Sequence, residues 1–142
     1  MNYDLLKLDQ QLCFPLYTCS RIIVRKYKPF LDPLGLTYTQ YITLMALWEH
    51  SRLAMKDLCE LLLLDSGTLT PLLKKLEQQG FVEKERSKED ERAIYIGITQ
   101  KGLNLREKAA SIPTQMIACM QFEPEQAALL KRLAEQFIKE NS

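Results

Sequence analysis

The stretch LDSGTLTPLLKKLEQQGFVEKERSKEDERAIYIGITQKG, Leu64 to Gly102, decides the fold. Leu69, Leu72, Leu73 and Leu76 recur at the i, i+3, i+4, i+7 spacing that stacks side chains on one face of a helix. Gly80 follows as a left-handed stop. The pattern predicts a helix over residues 66 to 79 with its leucines turned inward. Pro71 would lie beyond the first turn of a helix capped by Ser66 and removes one backbone bond. A start with Thr70 as cap and Pro71 as first residue would leave a short helix, so the expectation is a start near Ser66 with an irregular first turn. Beyond Gly80, Phe81 to Arg86 and Ala93 to Thr99 are rich in strand formers and are separated by the wholly polar Ser-Lys-Glu-Asp-Glu-Arg, which predicts a hairpin with a charged tip.

Upstream, residues 54 to 62 read as a shorter helix with Leu58, Leu61 and Leu62 able to face a core, and Asp65-Ser66-Gly67 breaks it. Two helices joined by a tight turn result. Thr37-Tyr38-Thr39-Gln40 reads as a capping box opening a helix through about His50, with Tyr41, Leu44, Met45 and Trp48 on its buried face. From residue 10 to 31, Leu12, Leu16, Cys19, Ile23, Tyr27 and Phe30 keep a helical period, and Asp32-Pro33-Leu34-Gly35 ends it. Downstream of Gln100 two helical stretches are expected, punctuated by Pro113 and Glu123-Pro124. Leu130, Leu133, Ala134, Phe137 and Ile138 give the last an apolar stripe. The expected fold is mainly α with a small β-hairpin wing: a winged helix-turn-helix with N- and C-terminal dimerisation helices. It is one domain over 1–142, with the winged lobe at about 36–99 and the terminal helices at about 1–35 and 100–142.

A chain of 142 residues has the size of one ordinary domain. Its 46% apolar and 26% charged residues and five glycines are those of a soluble globular protein. The opening MNYDLLKLDQQLC lacks the basic start and apolar run of a secretion signal, and no stretch approaches the roughly 18 apolar residues of a membrane span. The expected place is the cytoplasm, with no membrane partner. Cys13, Cys19, Cys59 and Cys119 are scattered, neither a disulfide framework nor a zinc spacing, so no metal and no cofactor are expected. The net charge of +1 neither demands nor excludes an acidic partner.

Placement of charge therefore has to carry the functional reading. With the leucines inward, the predicted helix shows Thr70, Pro71, Lys74, Lys75 and Gln78 outward, small or cationic groups suited to phosphates and base edges. The hairpin carries Lys88 and Arg92 at its tip and Arg86 at its root, and an arginine gains from the potential of a narrow minor groove. Glu89, Asp90 and Glu91 oppose this, unless a carboxylate holds the Arg92 guanidinium by a bidentate pair. Helix-turn-helix shapes also dock proteins, so pattern alone leaves double-stranded DNA and a protein partner both open.

The Leu64–Gly102 segment resembles the recognition-helix and wing signature of the MarR family of transcriptional regulators, and the likeness continues upstream through LTYTQYITLMALWEH. The resemblance implies a DNA-binding repressor. Its DNA contacts would be Ser66, Thr68, Thr70, Lys74 and Lys75 on the helix, with Arg86, Asp90 and Arg92 on the wing, Asp90 orienting Arg92. It also implies a homodimer. Two-fold readers of this kind meet pseudo-palindromic operators with half-sites roughly 10 base pairs apart.

QLCFPLY, YKPFLDPLGLTY and LDSGTLTPLLKK together resemble the organic-hydroperoxide-sensing branch of that family, the OhrR/SarZ/MgrA-like regulators. Cys13 stands near the start of the first helix, where backbone N–H groups and the dipole favour a thiolate. A cysteine there is also an ordinary small hydrophobe. The branch implies that Cys13 is a sensor oxidised by an organic hydroperoxide, and that Tyr27 and Tyr38 of the partner subunit hydrogen-bond to it. Cys119 is either the resolving cysteine or a core residue beside Met116 and Met120. Cys19 faces another side of Cys13's helix, and Cys59 sits among leucines. Pro15 departs from the branch pattern: it begins the first helix or bends it. Two other readings stay open. One is a repressor released by a small aromatic ligand near Tyr27, Tyr38 and Trp48. The other is a cysteine peroxidase, weakened by a sole histidine, His50, and by the lack of a catalytic set.

Overall fold

Leu69, Leu72, Leu73 and Leu76 are buried along one face of α4 (Ser66–Gln78), at 0 to 8% exposure, as the spacing requires. Each fully buried leucine contributes roughly 1.5 to 3 kcal/mol, so this stripe anchors the helix. Its cap is Asp65, not Ser66: the Asp65 carboxylate accepts the Thr68 N–H at 2.6 Å, and Ser66 is the first helical residue. Pro71 lies inside the helix without ending it. At the far end the Phe81 N–H donates to the Leu76 carbonyl and the Gly80 N–H to that of Glu77. This paired closure turns the chain through Gly80 at φ +81°.

The computed structural model describes residues 1–142 and falls into two compact units, Met1–Ala110 and Ser111–Ser142. The first opens with two short 3-10 turns, Asp4–Leu6 and Leu8–Gln10, and then α1 (Cys13–Leu31). A further 3-10 turn, Asp32–Leu34, leads into α2 (Tyr38–His50), which carries the expected capping box between Thr37 and Gln40. Next come β1 (Arg52–Ala54), α3 (Met55–Leu62), α4, β2 (Val82–Arg86), β3 (Ile94–Ile98) and α5 (Gln100–Ala109).

The hairpin is really part of a three-stranded antiparallel sheet in the order β1-β3-β2, with Leu53 opposite Ile96 and Lys84 opposite Ile96 on the other side. Three residues are too few to show an alternation, so β1 reads as a mere break between helices. Ile96, central in the sheet, is fully buried with Leu44, Leu47, Leu58, Leu69, Leu73 and Leu76. Two positions expected inward lie outward in the single chain: Met45 is 43% exposed and Leu61 51%.

The second unit holds α6 (Ile112–Met120) and α7 (Pro124–Asn141), so three helices follow the wing rather than two. The chain breaks at Ala110–Ser111, just before Pro113, which fits the first turn of α6 without costing a bond. Along α7, Leu130, Leu133, Phe137 and Ile138 are all at least 43% exposed, an apolar stripe that its own chain leaves uncovered.

Candidate nucleic-acid interface and thiol site

Opposite the leucine stripe, α4 presents Thr70, Lys74 and Gln78 to solvent, with Ser66, Thr68 and Lys75 exposed at its flanks. Burial of one face thus dictates the other. The wing tip is held by its own backbone. Ser87 donates its N–H to the Ala93 carbonyl at 2.9 Å, Ala93 donates to Asp90 at 3.0 Å, and the Ser87 hydroxyl accepts from the N–H groups of Glu89 and Asp90. The Arg86 guanidinium donates to the Glu91 carbonyl at 3.0 Å, tying strand to tip.

Asp90 differs from the expectation. Its carboxylate accepts the backbone N–H of Arg92 at 3.0 Å and makes no ion pair with the guanidinium. It shapes the loop that carries Arg92 rather than gripping the side chain. Ser66, Asp90 and Arg92 border one cleft of about 660 Å³, along with Lys56 and Cys59. The wing tip and the start of α4 therefore share a single concave surface of mixed charge, with Lys56 and Arg92 beside Asp57, Glu60 and Asp90.

Cys13 is the first residue of α1 and is exposed, and Leu12 before it supplies no side-chain cap. Pro15 neither begins the helix nor interrupts a bond: the helix opens before it, and Pro15 falls in the first turn, where N–H groups have no intrahelical partner. No disulfide joins the four cysteines. Cys59 and Cys119 are half-buried and Met116 is buried.

Tyr27 on α1 and Tyr38 on α2 stack with ring centroids 4.8 Å apart, and Tyr41 joins them at 5.6 Å from Tyr27 and 6.4 Å from Tyr38. Burial, then the neighbouring Tyr38 and Tyr41 phenols, push the Tyr27 hydroxyl up to about 12, and burial raises Tyr38 as well. Both stay O–H donors throughout the neutral range. The two tyrosines meet each other but not Cys13 of their own chain. Cys13 and Tyr27 are 14 residues apart on one helix, which at 1.5 Å per residue is about 21 Å.

Tyr38 also edges a cavity of about 460 Å³ with an apolar floor of Val24, Leu31 and Leu36 and a rim including Arg21 and Arg25. Tyr27 and Trp48, grouped with Tyr38 in the aromatic-ligand reading, do not line it; they belong to the aromatic cluster. Trp48, expected on a buried face or beside a ligand, and Gly102, which sequence reasoning passed over, meet here. The Trp48 indole donates to the Gly102 carbonyl at 2.9 Å, and Gly102 sits where a side chain would strike Phe81. A glycine in the first turn of a helix that follows a strand was the available signal.

Residues 25–109 match the family described as Transcriptional regulator SarA/Rot. The organic hydroperoxide resistance transcriptional regulator of Bacillus subtilis is 48% identical over 130 residues, 92% of this chain and 88% of its own. The HTH-type transcriptional regulator SarZ of Staphylococcus saprophyticus is 40% identical over 134 residues, 94% of this chain and 92% of its own. Among solved structures, reduced AbfR bound to DNA matches with a TM-score of 0.79 at 34% identity, covering 99% of this chain and 98% of that one. AbfR, from Staphylococcus epidermidis, has also been solved overoxidised on DNA, with a TM-score of 0.78, and in a disulfide form, with 0.65 over 94% of this chain and 93% of that one. These relatives are regulators, not enzymes, and the winged helical fold is theirs. The chain belongs to the SarA/Rot family of transcriptional regulators, alongside the organic hydroperoxide resistance regulator and SarZ it resembles.

Proposed function

We propose that the chain is a cytoplasmic, homodimeric DNA-binding repressor whose grip on its operator is switched by oxidation of Cys13. The observation that carries this reading is the exposed thiol at the first residue of α1, with two paired phenol donors, Tyr27 toward the far end of that helix and Tyr38 at the start of α2, out of its reach. Two copies resolve the mismatch: Tyr27 and Tyr38 of one subunit hydrogen-bond to Cys13 of the other. The uncovered apolar stripe of α7 and the exposed Phe14 and Leu16 of α1 supply surface for that pairing. In functional terms the chain is one domain, with dimerisation helices at about 1–35 and 100–142 and the DNA-binding lobe at about 36–99.

The DNA side is α4 and the wing. Thr70, Lys74 and Lys75 enter the major groove with Ser66 and Thr68 at the helix start, while Arg86 and Arg92 reach the flanking backbone or minor groove. Asp90 positions Arg92 through the loop backbone.

The switch is a two-electron step. The Cys13 thiolate attacks the terminal oxygen of an organic hydroperoxide, an S–O bond forms, the O–O bond breaks, and the peroxide leaves as an alcohol once protonated. The resulting sulfenic acid condenses with a thiol, forming S–S and releasing water. An overoxidised form of AbfR has been solved bound to DNA, which supports disulfide formation over further oxygenation as the releasing event. The second thiol is a small cellular thiol or Cys119 of the other subunit.

Binding to a fragment of the regulated promoter, before and after an organic hydroperoxide, tests the reading. Wild type lets go and Cys13→Ser holds. If the serine variant releases DNA equally, Cys13 is not the sensor. Release by Cys119→Ser assigns the second thiol to a small molecule, and retention assigns it to Cys119.

A further inference from the structure

The sole tryptophan links the tyrosine cluster to the wing root, alongside the Gln79 amide, which donates to the Gly35 carbonyl at 2.8 Å from the end of α4. Tyr27 packs on Tyr38 and Tyr41, and Tyr41 meets the edge of Trp48 with centroids 6.4 Å apart at 71°. The Trp48 N–H then donates to the carbonyl of Gly102, in the first turn of α5. That turn is in tight register with the wing. The Gly102 N–H is capped by the Thr99 hydroxyl at 3.1 Å, and the same hydroxyl donates to the Gly80 carbonyl at 2.6 Å. The Thr99 N–H donates to the Phe81 carbonyl at 3.0 Å. Phe81 and Gly80 are the residues whose N–H groups close α4. Gly102 leaves no slack, because an added methyl would stand 2.6 Å from Ile98 Cδ1. A displacement at Gly102 is therefore felt at the end of α4 and at the root of β2.

We propose that Trp48 is a positioning residue for the redox response: its hydrogen bond to Gly102 carries a rearrangement of the tyrosine cluster to α4 and the wing. The inference rests on the reading of Cys13 above. Packed side chains transmit discrete shifts because dense interiors do not deform continuously. A coupling claim needs an energetic test rather than spatial intermediacy.

Trp48→Phe keeps an aromatic ring against Tyr41 and removes the donor together with part of the indole's bulk. One hydrogen bond is worth about 0.5 to 1.5 kcal/mol, a factor of roughly two to twelve. The reduced variant is expected to bind promoter DNA within about twofold of wild type, while the loss of affinity on adding cumene hydroperoxide shrinks severalfold. A merely structural tryptophan would lower the melting temperature and shift reduced and oxidised affinities alike, and an unchanged ratio overturns the proposal. Wild-type fluorescence gives a readout independent of that variant's folding. Trp48 emission should change on oxidation in wild type and stay constant in Cys13→Ser. Release from DNA with no change in emission overturns the coupling role while leaving the sensor intact, whereas release by Cys13→Ser overturns both.

Discussion

Replacing Gly102 by alanine sets two opposite effects against each other. In a helix, alanine is favoured over glycine by about 1 kcal/mol, so propensity alone predicts a more stable protein. The geometry predicts the reverse. A Cβ at residue 102 would collide with the Phe81 carbonyl oxygen and stand 2.6 and 3.0 Å from the Ile98 Cδ1 and Cγ1 atoms. Ile98 can turn aside in part, but the carbonyl is backbone and already accepts the Thr99 N–H. Relief therefore requires the start of β2 and the first turn of α5 to separate, stretching that bond and the Thr99 cap together. Overpacking of this kind costs about 1 to 3 kcal/mol, and weakening a buried hydrogen bond adds about 1 kcal/mol. The net expectation for Gly102→Ala is a loss of about 2 kcal/mol. At roughly 2 to 4 °C per kcal/mol for a chain of this size, the melting temperature falls by about 4 to 8 °C. Thermal unfolding followed by circular dichroism on the reduced protein measures it, and a melting temperature equal to or above wild type would refute the close approach.

Alkaline stability should report the tyrosine cluster. The Tyr27 phenol is pushed up to about 12 by burial and its neighbours, so the fold favours the neutral form, and its contribution is complete below about pH 10. That contribution is lost as pH rises from about 10 to 12. Urea unfolding across this window should show wild type losing stability faster than Tyr27→Phe, and parallel curves would contradict it. Arg92→Ala should weaken promoter binding and lower the slope of log affinity against log salt by about one, with unfolding unchanged. An unaltered slope removes Arg92 from the phosphate contacts. Asp65→Ala should lower the melting temperature by removing the α4 cap. Hydrogen bonding to Thr68 lowers the Asp65 carboxyl below its usual range. The cap's contribution is therefore present above that range and fades as pH falls, so the two melting temperatures should converge in acid; a gap that persists there would deny the carboxylate its role.

Periodicity exposed the helices because each buries one stripe, and the four leucines of α4 define inside and outside together. The Thr37–Gln40 capping box was legible because it is spelled by adjacent residues. β1 was not, since three residues carry no period and its partner lies more than forty positions away, Arg52 against Gly97. The α4 cap was misread by one residue for a related reason: Asp65 and Ser66 are both good caps, and only backbone geometry selects between them. Met45 and Leu61 obey the helical period yet are exposed, because periodicity names an apolar face and not its cover.

The candidate thiol site was legible only as residue types. Nothing in the spacing of Cys13, Tyr27 and Tyr38 says that two of the three touch, because Tyr27 and Tyr38 lie on different helices joined by the turn at Asp32–Leu34. The same helix that brings Tyr27 to Tyr38 carries Cys13 about 21 Å away, and no rotamer spans that gap. In the proposed reading, the thiol at one end of the helix and the phenols at the other meet only across two copies. Under the proposed function, a second copy set antiparallel to the first would bring each thiol to the other copy's phenols, and oxidation at either end would act on the spacing of two recognition helices at once. A single subunit, however well folded, should therefore bind half an operator weakly and show no response to peroxide. An obligate monomer made by charging the α7 stripe, for example Leu133→Glu with Phe137→Glu, should retain its fold and lose both operator affinity and the peroxide response; if the monomer still answered peroxide, pairing across subunits would be excluded.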